Sequence, residues 1–220
     1  MGRSMRRWRT VEVFDLRAKE YDRWYEKHLG LYLSELKVVR EFTCKKALEI
    51  GIGTGRFACG TGIVVGIDPS LKMLSCVSKD LNLVQAVGEH LPFREKSFDC
   101  AFLIATLCFV DDPLKVLEEG SRVAERVITC IIPRESSWGK YYGKLAEKGH
   151  PIYSMARFYL VHEVVELAAK AGLHLKEIIA TLRRFPGEDE RIEDPKTVDL
   201  KEAENYGFVC MEFAAKNNLA

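Results

Sequence analysis

A chain of 220 residues, 47% hydrophobic and 30% charged, is long enough for one folded domain and too apolar to be disordered. Its 33 Lys and Arg against 32 Asp and Glu leave a formal net charge of +1, which excludes a global electrostatic case for nucleic acid or an acidic surface as partner. No apolar stretch reaches the ~20 residues of a membrane span, and the Arg-rich start lacks the apolar core of a secretory signal.

The first ten residues carry Arg3, Arg6, Arg7 and Arg9 and no acid, and they read as a solvated basic tail. Leu31, Leu33, Leu36 and Val39 recur at helical spacing. Before them, Ala18-Lys-Glu-Tyr21-Asp-Arg-Trp24-Tyr25 suggests an aromatic helical turn. Residues 1–42 are therefore expected to be a basic tail and helical lid, and residues 43–220 the main part of one structural domain.

From Lys46 the texture changes. Short apolar runs predict strands Ala47–Ile50, Ile63–Ile67, Leu83–Val87, Phe98–Leu103, Val127–Ile132, His174–Leu182 and Phe208–Ala214. Helices are predicted from Leu71 to Val77, capped by Ser70 or Asp68, from Pro113 to Ala124 and from Val161 to Ala171. Residues 186–204 read as a loop. Strands alternating with helices imply a doubly wound α/β fold, its mostly parallel sheet covered on both faces. Residues 133–160 break this rhythm and read as an aromatic cap insert. There Trp138, Tyr141 and Tyr142 could face a cationic amine or stack on a flat aromatic substrate.

The seven cysteines are odd in number and include no CxxC pair, which argues against a disulfide framework or a zinc site. Most sit in apolar runs such as Asp99-Cys100-Ala101-Phe102, so buried thiols in a reducing, cytoplasmic compartment are expected.

The sharpest motif is Glu49-Ile-Gly51-Ile-Gly53-Thr-Gly55, which follows a predicted strand and opens a predicted helix. Glycines let a ligand approach the backbone without meeting a Cβ. Asp68 ends the second strand, 17 positions after Gly51, where an acid can accept both hydroxyls of a ribose. Glu49 would repel a pyrophosphate and suit an ammonium or sulfonium. That sign, and the missing third glycine of the dinucleotide spacing, count against a nicotinamide dehydrogenase.

These residues resemble the class I S-adenosylmethionine-dependent methyltransferases, in particular the small-molecule group that includes the ubiquinone/menaquinone-biosynthesis type. The resemblance runs from Phe14 to Lys216 through Ala47–Phe57, Gly66–Ser70 with Met73, Leu91–Phe93 and Ser97–Asp99. It implies a seven-stranded sheet of order 3-2-1-4-5-7-6 with the last strand antiparallel. It also implies S-adenosylmethionine as cofactor, S-adenosylhomocysteine as product, and no metal. Gly51, Gly53 and Gly55 would lie against the methionine part, and Glu49 near its ammonium. Asp68 would bind the ribose, while Pro69 and Met73 flank the adenine. The backbone at Gly88 and Glu89 would meet the adenine edge, the Ile104 carbonyl would receive its amino group, and Tyr21 would close over the site.

Three departures stand out. The family's acid after the third strand is Val87 here, so one adenine hydrogen bond is lost or Glu89 substitutes. The segment between Gly55 and Asp68 is short, so the first helix is expected to be stubby and ended by Gly60 and Gly62. The turn after the fourth strand reads Thr106-Leu-Cys-Phe109, with no imidazole.

The implied reaction is an in-line methyl transfer to a small-molecule acceptor, amine or aromatic/phenolic. A non-catalytic adenosyl-binding module and an RNA or protein methyltransferase remain as other readings. Tyr21, His28 and His150 are the candidates for a base, and no one of them is singled out by the sequence.

Overall fold

The computed structural model describes residues 3–77, 80–188 and 191–215. Two helices lead the chain, α1 (Arg3–Lys27) and α2 (Leu29–Glu41). Residues 3–10 are thus the first turns of a long helix and not a frayed tail, whereas residues 1 and 2 lie outside the described residues.

Eight strands follow: β1 (Ala47–Ile50), β2 (Ile63–Asp68), β3 (Asn82–Gln85), β4 (Phe98–Ile104), β5 (Ala124–Ile131), β6 (Leu173–Thr181), β7 (Lys196–Thr197) and β8 (Phe208–Ala215). They form one sheet of order β3-β2-β1-β4-β5-β8-β6-β7. The expected seven-strand order is present, with two-residue β7 added at one edge. The first five strands are parallel, and β8 runs antiparallel between β5 and β6. β1 is wholly buried, as continuous apolar runs in a covered parallel sheet must be. It pairs with β2 on one side and β4 on the other, so the chain leaves it in opposite directions and a crevice opens at the strands' carboxyl ends.

The remaining helices are α3 (Leu71–Leu74), α4 (Pro113–Val123), α5 (Ser137–Glu147), α6 (Val161–Lys170) and α7 (Leu200–Ala203). Side-chain caps set several starts: Ser70 accepts from the Met73 N–H at 3.1 Å and Asp112 from the Lys115 N–H at 3.1 Å. The insert contributes α5 and a 3-10 turn, Tyr153–Met155. The stretch expected to be a loop, 186–204, includes β7 and α7.

Two further expectations are corrected. No helix follows the glycine loop, because residues 51–62 run through turns to β2. Five glycines there hold φ between +55° and +79°, which a right-handed helix cannot accommodate. Disulfides are also present: Cys44 is bonded to Cys100 and Cys130 to Cys210. The antiparallel register sets Cys130 on β5 directly opposite Cys210 on β8, a neighbourhood that linear spacing does not reveal.

Helix α1 crosses the crevice and is pinned at both flanks. Asp15 accepts from the Ser70 hydroxyl and the Lys72 N–H. Farther along, both Asp22 oxygens take Arg56 at 2.6 Å, a bidentate pair. No helix among the described residues is long and apolar enough to cross a membrane.

Candidate functional site

At the end of β1 the chain turns at Gly51, φ +75°, where a Cβ would collide with the Thr106 side chain. Gly53 N–H donates to Asp68 Oδ2 at 3.0 Å, and Ser70 N–H donates to Oδ1 at 2.8 Å. Ser70, not Asp68, caps α3, which leaves the Asp68 carboxylate facing a cleft. Burial pushes Asp68 up to about 6, against the pull of these two backbone donors.

The cleft is lined by Gly51, Gly53, Asp68, Pro69, Met73, Val87, Gly88, Glu89 and Ile104, with Tyr21 and Phe14 from α1. Gly53 is open to it, with Met73 Cε and Tyr21 Cε1 no nearer than 3.7 Å to an added Cβ. Gly55 lies apart, its α-carbon facing Val77. Glu89 Oε1 accepts from the Asp111 and Asp112 N–H groups at 3.1 and 3.4 Å, so this oxygen holds the loop after β4. The Ile104 carbonyl already accepts the Thr106 hydroxyl at 3.0 Å.

Glu49 is 2% exposed beneath the loop, and its Oε2 has no hydrogen-bond partner. Burial raises its pKa well above the carboxylate range, and the Asp68 charge adds to this. An acid facing the cleft and a glycine open to it suit a ligand carrying hydroxyls, whereas the orphaned Glu49 oxygen is buried outside the residues that line the cleft.

A second cavity, of about 340 Å³, adjoins the cleft. Tyr21, Ala105 and Phe109 line both. Ala105 sits at this junction with φ +50°, an uncommon conformation for a residue with a Cβ. Tyr21 is hydrogen-bonded to the Tyr25 hydroxyl at 2.9 Å, and burial pushes it up to about 12, so it stays neutral at ordinary pH.

The larger cavity gathers the sequence candidates from separate elements. Trp138, Tyr141 and Tyr142 come from α5, His28 from the α1–α2 junction, and His150 from the insert. Trp138 donates its indole N–H to the Arg184 carbonyl at 2.8 Å, so its ring is fixed and presents only its face and edge. The His150 ring lies tilted against Tyr153 with centroids 4.4 Å apart, and Tyr153 lies tilted against Tyr142 at 4.4 Å. Burial, aided by Arg17, holds His150 below its ordinary pKa.

Sequence reasoning missed Glu35, which also lines this cavity and is 8% exposed. A signal was present: Leu31, Glu35 and Val39 fall at i, i+4 and i+8, which sets an acid on the buried stripe of α2. Among the described residues no group of three or more His, Cys, Asp or Glu is placed to hold a metal.

Residues 48–127 match the family model described as a methyltransferase domain. The structure of a SAM-dependent methyltransferase of Thermotoga maritima, called a possible histamine N-methyltransferase, is 35% identical with a TM-score of 0.86, covering 94% of this chain and 100% of that one. An uncharacterized protein of Methanocaldococcus jannaschii is 35% identical over 90% of this chain and 95% of its own length. A demethylmenaquinone methyltransferase of Roseiflexus is 28% identical over 59% of this chain and 55% of that enzyme.

Proposed function

The chain belongs to the class I S-adenosylmethionine-dependent methyltransferases, and from that premise we propose that it methylates a small-molecule acceptor, an amine or an aromatic or phenolic compound. The observation that carries this reading is the junction at Tyr21, Ala105 and Phe109, across which the aromatic cavity meets the cleft. A cavity of about 340 Å³ is of the size that takes small ligands. The likeness to a possible histamine N-methyltransferase supports an amine within that range.

The cofactor supplies an already activated methyl group on a sulfonium. The chain's task is then to align acceptor and donor and to keep water out. In this reading Asp68 accepts the ribose hydroxyls and Glu49 meets the ammonium. Pro69 and Met73 flank the adenine, and the backbone at Gly88 and Glu89 meets its edge. Gly51 and Gly53 lie along the methionine part. Helices α1 and α2 act as a lid on one structural domain, with Tyr21 closing the passage between the two cavities. We place the enzyme in the cytoplasm, where the full burial of Cys130 and Cys210 shields their bridge from thiol attack.

Incubating the full chain with methyl-labelled S-adenosylmethionine and a panel of amines, phenols, quinols and RNA tests the proposal. Label entering a small molecule is the expected result. Transfer to RNA alone, or adenosyl binding with no transfer to any acceptor, overturns it.

A further inference from the structure

Glu35 stands in the wall of the larger cavity at 8% exposure. Beside it the wall is aromatic and buried, formed by Tyr25, Phe57, Trp138, Tyr142 and Phe208. No donor among the described residues hydrogen-bonds its carboxylate, and burial alone pushes it up to about 8. Its charge opposes ionisation of the hydroxyls of Tyr21, Tyr25, Tyr142 and Tyr153, so it lies within electrostatic reach of both the lid and the cap. Burying a carboxyl group without a partner is costly, and such a group is a candidate for pairing with a ligand.

Two acids and two histidines, His28 and His150, are the ionisable groups of the wall besides its tyrosines and Cys108. The acids are Glu35 and Glu20, and no lysine or arginine lines the cavity. Aromatic faces add negative potential of their own. An anion would be repelled here, and a phenol would be hindered from ionising. A cation is attracted by the acids and by the aromatic faces.

We infer that Glu35 is the acceptor-recognition residue and that the acceptor is a primary or secondary amine, bound as an ammonium between the Glu35 carboxylate and the aromatic wall. This rests on the reading that the cavity holds a small-molecule acceptor. The ammonium passes one proton to Glu35, so that an amine lone pair and a carboxylic acid replace the ion pair. Burial disfavours both members of the ion pair, and so favours its conversion to the uncharged acid and amine. The lone pair forms the new N–C bond as the methyl–sulfur bond breaks with its electrons on sulfur. The positive charge thereby moves from sulfur to nitrogen, and no oxidant or reductant is consumed.

The test uses the full chain saturated with S-adenosylhomocysteine and reads tryptophan fluorescence, since Trp24 and Trp138 line the cavity. Phenethylamine, phenethyl alcohol and phenylacetate share a shape and differ in charge. The amine should bind at least about tenfold tighter than the alcohol, and phenylacetate not at all. Glu35→Gln should weaken the amine by about tenfold or more and leave both the alcohol and S-adenosylhomocysteine within about twofold. The charge series on the unaltered chain stands even if the variant does not fold. Equal binding of amine and alcohol, or an amine affinity untouched in a folded Glu35→Gln chain, overturns the inference while the small-molecule reading survives. If none of the three binds and no small molecule in the panel is methylated, both fall together.

Discussion

The carboxylate of Asp68 and the N–H of Gly53, 3.0 Å apart, tie the end of β2 to the glycine loop. The second Asp68 oxygen is engaged by Ser70 N–H, so both oxygens are held in place at the cleft wall. Each has further acceptor capacity for a ribose hydroxyl. Asp68→Ala should therefore weaken S-adenosylhomocysteine binding at least about tenfold, or ~1.4 kcal/mol. Titration calorimetry on a variant with native circular dichroism checks this, and an unchanged affinity removes the ribose assignment.

Binding should also depend on pH. Asp68 is pushed up to about 6 in the protein alone, with Asp15 and the buried Glu49 as its acidic neighbours. A folded pKa raised above the ordinary 3.8 means that Asp68 favours folding at low pH, and that this contribution is lost as pH rises through about 6. Hydroxyl donors favour the ionised form, so a bound adenosyl ligand lowers that pKa. The Asp68 contribution to S-adenosylhomocysteine affinity should be steady above about pH 7 and fall below 6, by at most about tenfold per pH unit for this one proton. Repeating the titration in Glu49→Gln separates the second acid. A profile flat from pH 5 to 8 in that variant contradicts the role given to Asp68.

The parts of the fold that a single segment determines were legible. The Glu49–Gly55 loop, the acid ending β2, the cap at Ser70 and the first-turn Pro113 are local chemistry, and all stand near their expected places. The first helix failed because the glycines that mark the motif also hold the chain at positive φ as far as Gly62. Cys130 and Cys210 are 80 residues apart, and only the β5–β8 register makes them neighbours. Glu35 was hidden for a similar reason: its spacing was visible, but nothing local shows that the buried stripe of α2 borders a cavity and not packed core.

Gly51 offers a test of the loop's backbone. Any side chain there meets two separate costs, the φ of +75° and a collision with Thr106 Cγ2, with Oγ1 2.6 Å away. Gly51→Ala should destabilise by about 2–4 kcal/mol, of which about 1 kcal/mol is conformational and the rest steric. Adding Thr106→Ala removes the two nearest atoms and leaves the residue 106 Cβ at 3.1 Å, so it should restore part of the loss, a coupling readable from urea unfolding of the four chains of the cycle. Strict additivity would show that the Thr106 contact is not what confines position 51 to glycine.

Glu35 has a consequence for stability that needs no ligand. Its pKa rises from 4.5 to about 8 on folding, through burial. Such a group favours folding fully below about pH 4.5, and that contribution is lost as pH rises through about 8. Glu35→Gln keeps the shape and removes the titration. Relative to wild type, the variant should therefore gain stability between pH 5 and pH 9, by a few kcal/mol at most, since water in the cavity softens the penalty. The tyrosines around it, Tyr21, Tyr25, Tyr142 and Tyr153, are all raised above 10 and stay neutral across this range. His150 is held below its ordinary value and is neutral over the upper part, while Glu20 and His28, also in the wall, are common to both chains and cancel to first order. Urea unfolding of both chains at pH 5, 7 and 9 measures the gap. A gap that does not change with pH would mean that Glu35 is solvated like a surface acid and does not stand desolvated in the aromatic wall.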